Sequence, residues 1–461
     1  MTVSGDVNTL LEEAIALHKA GDPAAAERLY RLIVEREPLL ALAQHNLGVV
    51  IVQRGAVAES VAHFKAARDA DPRTGLYWLS YARALIRSGQ ASEALGVLEQ
   101  AKGRGLSAPQ FDALVTEALR AVPPDDANAL FRLGNTETAN GNFEKAIAAY
   151  RRAVAARPDF AEAHFHLGSV LSETGRITEG FEHLMRRAEL VYGRGTAAPK
   201  DEALHKRKHD SEQRDYLAGG KAPEDAPAVS ALFRIEKGER VAGHAVNPAN
   251  ATLELFERWK RAEPQFVVLE DFLVPEALET LRHYCAGSTI WRRVYDAGYI
   301  GATPEDGFAC PLLAQIAEEI RATFAPIFAA HHFHYLGAFK YDSTLSTGTN
   351  IHADNSAVNV NFYIAPDEAN LDPESGGMDI WNVTMPDGID MRIYNGDENA
   401  AREFLRTSNA RKTTIPHRAN RAVIFRSDLF HKTSDCRFQE GYLNKRINVS
   451  LLFGHRGAPT R

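Results

Sequence analysis

The stretch GDPAAAERLYRLIVEREP, residues 21–38, decides the fold of the first half, because GAVAESVAHFKAARDADP repeats its pattern at residues 55–72. The closing prolines of the two copies are 34 residues apart. Each copy begins with glycine. A small residue, an aromatic residue and an aliphatic residue then follow at matched positions. A fixed period of this length is typical of stacked helical hairpins. The first half of the chain is therefore predicted to be an α-solenoid.

Three further copies extend this pattern through the first 190 residues. They contain Gly89, Gly141 and Gly175, each followed five positions later by alanine or glycine. Period and signature resemble the tetratricopeptide repeat, in which small residues let two helices approach closely and proline ends the second helix. The resemblance implies a surface that binds a protein or peptide substrate, a partner or the chain's own C-terminal half, and a homodimer is a further possibility. Residues 103–126 break the phase and are interpreted as an irregular helical insert or a degenerate repeat.

Composition limits the class of protein. A chain of 461 residues is expected to form about two or three domains. Its net charge of -7 gives no reason to expect nucleic-acid binding. The three cysteines, Cys285, Cys310 and Cys436, are far apart, which indicates a reducing, cytoplasmic compartment rather than a disulfide framework. No apolar run is long enough for a membrane span, so no membrane association is predicted.

Residues 192–251 are predicted to be a linker because glycine, proline and charged residues dominate there. Within it, residues 201–217 have the composition of a short charged helix. Its histidines, His205 and His209, are one helical turn apart, but neighbouring acidic residues favour a solvated surface helix over a metal or nucleic-acid site. The predicted domains are thus a repeat domain at 1–191, this linker, and a second domain at 252–461.

The second domain begins with helical patterns and then changes period. Residues 266–285 and 308–328 include amphipathic helices, and several short segments rich in Val, Ile, Phe and Tyr follow. Turn-forming residues separate these segments, as is typical of β-strands. Helices followed by many short strands predict an antiparallel sandwich or barrel braced by helices, so the whole chain is a multidomain α and α+β protein.

The strongest chemical signal is His352 and Asp354, followed by His431 and then Arg446. Side chains two positions apart on an extended segment point the same way, so His352 and Asp354 are expected to face one interior. Two imidazoles and one carboxylate are the facial ligand set of non-heme Fe(II) oxygenases. A guanidinium can bind a carboxylate through two hydrogen bonds, which makes Arg446 a candidate for holding an acidic co-substrate.

The surrounding segments, among them VVLEDFLVPEALETL, NIHAD, AVIFRSDLFHKT and KRINVSLLF, resemble the 2-oxoglutarate/Fe(II)-dependent dioxygenases of the prolyl-hydroxylase-like kind. The resemblance covers residues from about 266 to 455 and implies a double-stranded β-helix, or jelly roll. It implies Fe(II) and 2-oxoglutarate as cofactors, with O2 as co-substrate. It assigns the metal to His352, Asp354 and His431, and it assigns the 2-oxoglutarate carboxylate to Arg446.

Other residues are candidates for the same pocket. By resemblance, the hydroxyls of Tyr341 and Tyr363 reach the co-substrate, and Asn448 stands where many relatives have serine or threonine. Alternation places Asn359, Asn361 and Tyr363 on one strand face, which indicates either a polar cavity or an outward polar surface. Asn361 is also predicted to be one of the cofactor-binding residues.

Two further segments carry predictions. The long insertion at 387–412 lies between core strands, where insertions often act as lids and could confer selectivity, and its residues assign it no role. The histidines of HHFHY, which are His331, His332 and His334, are interpreted as a surface turn rather than a metal site because no carboxylate accompanies them. His417 is expected to be structural or to lie near the substrate.

The sequence therefore predicts an enzyme, a 2-oxoglutarate-dependent dioxygenase that hydroxylates a protein or peptide side chain recruited by the repeats. One alternative is a hydroxylase of a small metabolite, with the repeats used for docking or dimerisation. Another alternative is a non-catalytic repeat scaffold whose barrel is degenerate.

Overall fold

A computed structural model describes residues 6–106, 108–123, 125–195, 202–346 and 348–457. The chain divides into two compact units, Met1–Pro158 and Asp159–Arg461. Within the described residues, no helix is long and apolar enough to cross a membrane.

The first unit consists of helices. In its described part they are α1 (Val7–Lys19), α2 (Pro23–Arg36), α3 (Ala41–Gln53), α4 (Val57–Ala70), α5 (Gly75–Arg87), α6 (Ala91–Gly103), α7 (Pro109–Ala121), α8 (Ala127–Ala139) and α9 (Phe143–Ala156). Successive helices pack as antiparallel hairpins, except that α7 stands between two hairpins and packs on α5 and α6. This extra helix accounts for the break in the repeat phase.

Close helix packing explains the small residues of the repeat. A Cβ atom added to Gly48 on α3 would lie 2.8 Å from the ring of Phe64 on α4. A Cβ atom on Gly134 of α8 would overlap the ring of Tyr150 on α9. In these two copies the aromatic ring thus occupies space that only glycine leaves open.

The second unit begins with the last repeat rather than after it. Its helices are α10 (Ala161–Glu173), α11 (Ile177–Tyr192), α12 (Leu204–Leu217), α13 (Leu253–Arg261), α14 (Pro275–Gly287), α15 (Pro311–Thr323), α16 (Ala325–Phe328), α17 (Arg392–Asn395) and α18 (Glu398–Thr407). The apolar face of α11, including Ile177, Phe181 and Leu184, lies in the same core as the sheet that follows. Phe181 packs edge-to-face on Phe333, with ring centroids 5.8 Å apart. The boundary between the two compact units, after Pro158, therefore precedes residue 191, where the repeat domain was predicted to end.

The predicted solvated helix is wrong for one face of α12, where Lys206, His209 and Gln213 are buried. The charges on this face are compensated, since Lys206 pairs with Asp210. His209 packs against Trp291 with a centroid distance of 6.2 Å, and burial lowers the pKa of His209 to about 3. Residue 201, the predicted start of this helix, lies outside the described residues.

Part of the predicted linker also belongs to the core of the second unit. Val241, Ala245 and Val246 are buried among the apolar residues that pack on the sheet. Composition predicted a loose segment there because apolar residues are sparse, but these three are buried.

Two antiparallel sheets complete the second unit. Their strands are β1 (Phe266–Leu269), β2 (Arg293–Tyr295), β3 (Tyr299–Ala302), β4 (Phe333–Tyr341), β5 (Val358–Tyr363), β6 (Met378–Thr384), β7 (Lys412–Ile415), β8 (Ala422–Arg426), β9 (Leu429–Thr433) and β10 (Arg446–Phe453). The seven-stranded sheet has the order β1-β8-β5-β10-β4-β3-β2, and the three-stranded sheet has the order β7-β6-β9. The antiparallel sheet region predicted from the strand pattern is confirmed.

The strand β10 lies at the centre of the larger sheet. Arg446 is opposite Tyr341 on β4, and Asn448 is opposite Tyr363 on β5. Along β5, Val358, Val360 and Phe362 enter the apolar core. The intervening amides therefore point away from that core, toward the site described next.

Candidate metal centre

The three candidate metal ligands come together from two separate segments. His352 and His431 face each other in an antiparallel bridge, with N···O distances of 3.0 and 2.8 Å. Their ring centroids are 4.3 Å apart, and His431 Nε2 lies 3.4 Å from Asp354 Oδ2. One ligand atom from each residue lies within 4.8 Å of the others. Among the described residues, this is the group of histidine and acidic side chains close enough to share a metal ion.

Hydrogen bonds orient each ligand. Nδ1 of His352 lies 2.7 Å from the carbonyl of Asn350, and Nδ1 of His431 lies 2.9 Å from the carbonyl of Leu429. A carbonyl accepts a hydrogen bond from a protonated Nδ1, and this tautomer leaves the lone pair of Nε2 available to a metal. Asn359 Nδ2 donates to Asp354 Oδ2 at 2.7 Å, which fixes the carboxylate.

The electrostatic environment favours the protonation states that a metal requires. Loss of solvent and the neighbouring His431 lower the pKa of His352. Burial acts to raise the pKa of Asp354, but the adjacent histidines and the Asn359 hydrogen bond outweigh it and leave the pKa below its usual value. A neutral imidazole and an ionised carboxylate are the forms that bind divalent cations.

A cavity of about 430 Å³ opens beside these ligands. This volume is within the range of small-molecule sites. Seven of the eight predicted site residues line it: Tyr341, His352, Asp354, Asn361, His431, Arg446 and Asn448. The eighth, Tyr363, is not in the lining, but its ring lies 5.3 Å from the Arg446 guanidinium.

Arg446 is buried, with 2% of its surface exposed, and neutral groups surround it. Its Nε donates to the carbonyl of Gly376 at 2.6 Å and its Nη2 to the carbonyl of Gly377 at 2.9 Å. Its Nη1 donates to Asn448 Oδ1 at 2.8 Å, and the guanidinium lies 4.6 Å from the Tyr341 ring centroid. No carboxylate of the described residues forms an ion pair with it. Since a guanidinium has five N–H groups, these three acceptors use three of them.

Buried polar atoms around the cavity also lack partners. The Tyr363 hydroxyl and the Oδ1 atoms of Asn359 and Asn361 make no hydrogen bond with the described residues. Each such group costs about 1–3 kcal/mol when it stays unsatisfied. By contrast, the Tyr341 hydroxyl accepts from Thr433 Oγ1 at 3.3 Å. The amides of Asn359 and Asn361 line the cavity, so their unsatisfied oxygens fit a polar occupant.

Sequence reasoning missed an aromatic wall of this cavity. Tyr295 stacks on Tyr299 with centroids 4.5 Å apart, and Tyr299 stacks on Tyr341 at 4.9 Å. Phe339 lies next to Tyr295 and Tyr299, with ring centroids 6.0 and 6.1 Å away. The pairing of β3 with β4 creates this wall, and the sequence alone did not predict that pairing.

Three histidine predictions have distinct outcomes. His331 is buried two residues before β4 begins, so the surface-turn interpretation is wrong for this residue, whereas His332 is exposed. His417 is buried with its ring 5.3 Å from that of Tyr363, which places it behind the cavity. Burial lowers the pKa of His417 to about 4, with the Arg446 charge as a further cause.

Comparisons with known proteins concern the repeats. A family model described as "TPR repeat" matches residues 134–175, and one described as "Tetratricopeptide repeat" matches residues 11–73 and 58–109. No curated protein matched the chain. The chain therefore contains tetratricopeptide repeats, which generally mediate protein or peptide binding.

Solved structures also align with part of the chain. MamA 41-end from Desulfovibrio magneticus RS-1 is 22% identical, with 42% of this chain and 99% of that chain covered and a TM-score of 0.21. YrrB, titled a TPR protein with an unusual peptide-binding site, is 18% identical, with coverages of 40% and 86% and a TM-score of 0.21. PilW, titled a widely conserved type IV pilus biogenesis factor, is 17% identical, with coverages of 40% and 77% and a TM-score of 0.20.

Proposed function

We propose that the second unit is an Fe(II)- and 2-oxoglutarate-dependent dioxygenase that hydroxylates a protein or peptide side chain, and that the repeats recruit this substrate. The observation that carries the proposal is the placement of buried Arg446 in the same 430 Å³ cavity as the histidine and aspartate ligands. A cation site and an anion site in one small cavity suit a metal-chelating dicarboxylate. The two antiparallel sheets support assignment of the unit to the double-stranded β-helix fold.

The donor set fits iron. The imidazoles of His352 and His431 and the carboxylate of Asp354 would hold Fe(II), and all three line the cavity. When bound, iron supplies the redox chemistry that couples the conversion of 2-oxoglutarate and O2 into succinate and CO2 to hydroxylation of a C–H bond. The remaining contributions come from the protein's own side chains.

Each of these side chains has a defined part. Arg446 binds the far carboxylate of 2-oxoglutarate through N–H groups that Gly376, Gly377 and Asn448 do not use, and the Tyr363 ring packs near the guanidinium. Asn359 keeps the Asp354 carboxylate oriented. The stacked Tyr295 and Tyr299 exclude water from one wall of the cavity.

Metal binding and co-substrate turnover test the enzyme proposal. Purified full-length protein should bind one Fe(II) and convert 2-oxoglutarate slowly to succinate without substrate. His352→Ala should lose both properties, while the exposed His332→Ala should keep them. Absence of turnover by the wild type, or turnover unchanged by His352→Ala, would favour the non-catalytic scaffold.

A deletion separates a protein substrate from a small metabolite. Removal of residues 1–158, the first compact unit, should leave succinate formation intact but abolish a mass gain of one oxygen on cellular proteins. Hydroxylation of a small molecule at an undiminished rate by the deletion variant would reject recruitment by the repeats. The readout is mass spectrometry of cells that express either form.

A further inference from the structure

The insertion at 387–412 is connected directly to the metal-ligand segment. The side chain of Asn395, the last residue of α17, forms two hydrogen bonds with the backbone of Ala353. Its Oδ1 accepts from Ala353 N at 3.1 Å, and its Nδ2 donates to Ala353 O at 2.8 Å. Ala353 is buried and lies between the ligands His352 and Asp354. The amide of Asn395 thus satisfies both backbone groups of the residue that joins two ligands.

The opposite edge of this segment is held by backbone groups. His352 exchanges two hydrogen bonds with His431, and Asp354 N donates to the carbonyl of Ser427 at 2.9 Å. Successive residues of an extended segment direct their N–H and C=O groups to alternate edges. On the edge that faces Asn395, no strand of the described residues pairs with Ala353, and Asn395 supplies the two hydrogen bonds that a paired strand would otherwise provide.

Apolar packing provides a second, independent link between the insertion and the ligands. Ala401 and Leu405 of α18 form one cluster with Ile351, Ala353 and Phe430. These last three residues are chain neighbours of His352, Asp354 and His431. The N-terminus of α18 is itself fixed by a cap, as Asp397 accepts from the backbone N–H groups of Asn399 and Ala400.

We propose that Asn395 is a positioning residue, which holds His352 and Asp354 in the geometry that binds the metal, and that the insertion is a structural brace for the metal centre. The proposal rests on the metal site of the proposed function. Asn395 also lines the cavity, but its two hydrogen bonds engage the backbone beneath the ligands. It acts through the ligand segment.

The test compares metal affinity in the full-length protein. Asn395→Leu keeps a similar size and removes both hydrogen bonds, whereas Asn399→Ala changes an exposed residue of the same insertion. Titration with Mn(II) should give roughly 10- to 100-fold weaker binding for Asn395→Leu, the range typical of lost outer-shell partners, and unchanged binding for Asn399→Ala. The visible absorption of the Co(II) form should change in Asn395→Leu and be restored in part by Asn395→Gln, which keeps the amide.

The outcomes separate the two proposals. Wild-type protein that binds no metal would overturn both of them. Equal Mn(II) affinity and equal Co(II) spectra for wild type and Asn395→Leu would overturn only the role of Asn395. Circular dichroism and thermal unfolding of the metal-free variants report whether they are folded. If Asn395→Leu does not fold, Asn395→Ser is judged by the same criteria.

Discussion

Replacement of Arg446 by lysine should weaken the binding of 2-oxoglutarate while it preserves the metal site. Arginine has five N–H groups, and three of them bind Gly376, Gly377 and Asn448. Lysine has three N–H groups on a single nitrogen and does not reproduce a bidentate contact in this cradle. The loss of one charge-assisted hydrogen bond costs about 1.5–3 kcal/mol, which corresponds to roughly 10- to 150-fold weaker binding.

Calorimetric titration of 2-oxoglutarate into Mn(II)-loaded protein measures this effect without turnover. The control is Arg421→Lys, since Arg421 pairs with Glu270 at 2.7 Å and does not line the cavity. Mn(II) affinity should be the same in both variants. Binding of 2-oxoglutarate that is equally tight in Arg446→Lys and wild type would refute the assignment of Arg446.

Three other perturbations follow from the structure. Burial lowers the pKa of Lys340 from 10.5 to about 7. The unfolded chain therefore binds more protons between these pH values, and the free energy of unfolding should rise with pH across that window. Lys340→Met should reduce this slope, which is at most about 1.4 kcal/mol per pH unit, in urea unfolding at pH 7–9.5. Asn359→Ala should weaken Mn(II) binding roughly 10- to 100-fold in calorimetry, because Asp354 loses its amide donor. Gly134→Ala should destabilise the first unit by about 1–3 kcal/mol in thermal unfolding through overlap with Tyr150.

Each of these has a contradicting result. Equal pH slopes for Lys340→Met and wild type would remove Lys340 as the source of the pH dependence. Unchanged Mn(II) affinity in Asn359→Ala would mean that metal binding by Asp354 does not depend on the hydrogen bond from Asn359. For the repeat, Gly103→Ala is the control, since a Cβ atom there meets nothing within 4 Å, and it should stabilise by about 1 kcal/mol. Equal loss in both glycine variants would refute the packing argument.

The sequence predicted those parts of the structure that local pattern encodes. The 34-residue period located the helical hairpins, since each copy supplies its own small and aromatic residues. Alternation on β5 separated Val358 and Val360 in the core from Asn359 and Asn361 on the cavity side. The spacing of His352 and Asp354, together with the later His431, was enough to predict the ligands, because these residue types in this order are chemically distinctive.

Contacts between distant segments were not predictable in this way. Asn395 meets Ala353 across 42 positions, and no periodicity marks an amide that pairs with a backbone. His209 was predicted to be solvated because runs of charged residues usually are. In the structure it is buried, pairs with Asp210 and packs against the rings of Trp291 and Tyr442. The aromatic wall arises from the pairing of two strands, and sequence gave no basis for choosing β3 as the neighbour of β4.

The apolar face of α11 has a consequence for expressing the repeats as a separate fragment. A free-standing repeat array ends in a helix with a polar outer side, which keeps the array soluble. Here Ile177, Phe181 and Leu184 of the last hairpin are committed to the core of the second unit. A fragment that ends at residue 191 would expose this apolar surface to solvent, and we expect it to aggregate. A boundary at Pro158, where the chain divides into its two compact units, keeps α11 together with the core that covers this face.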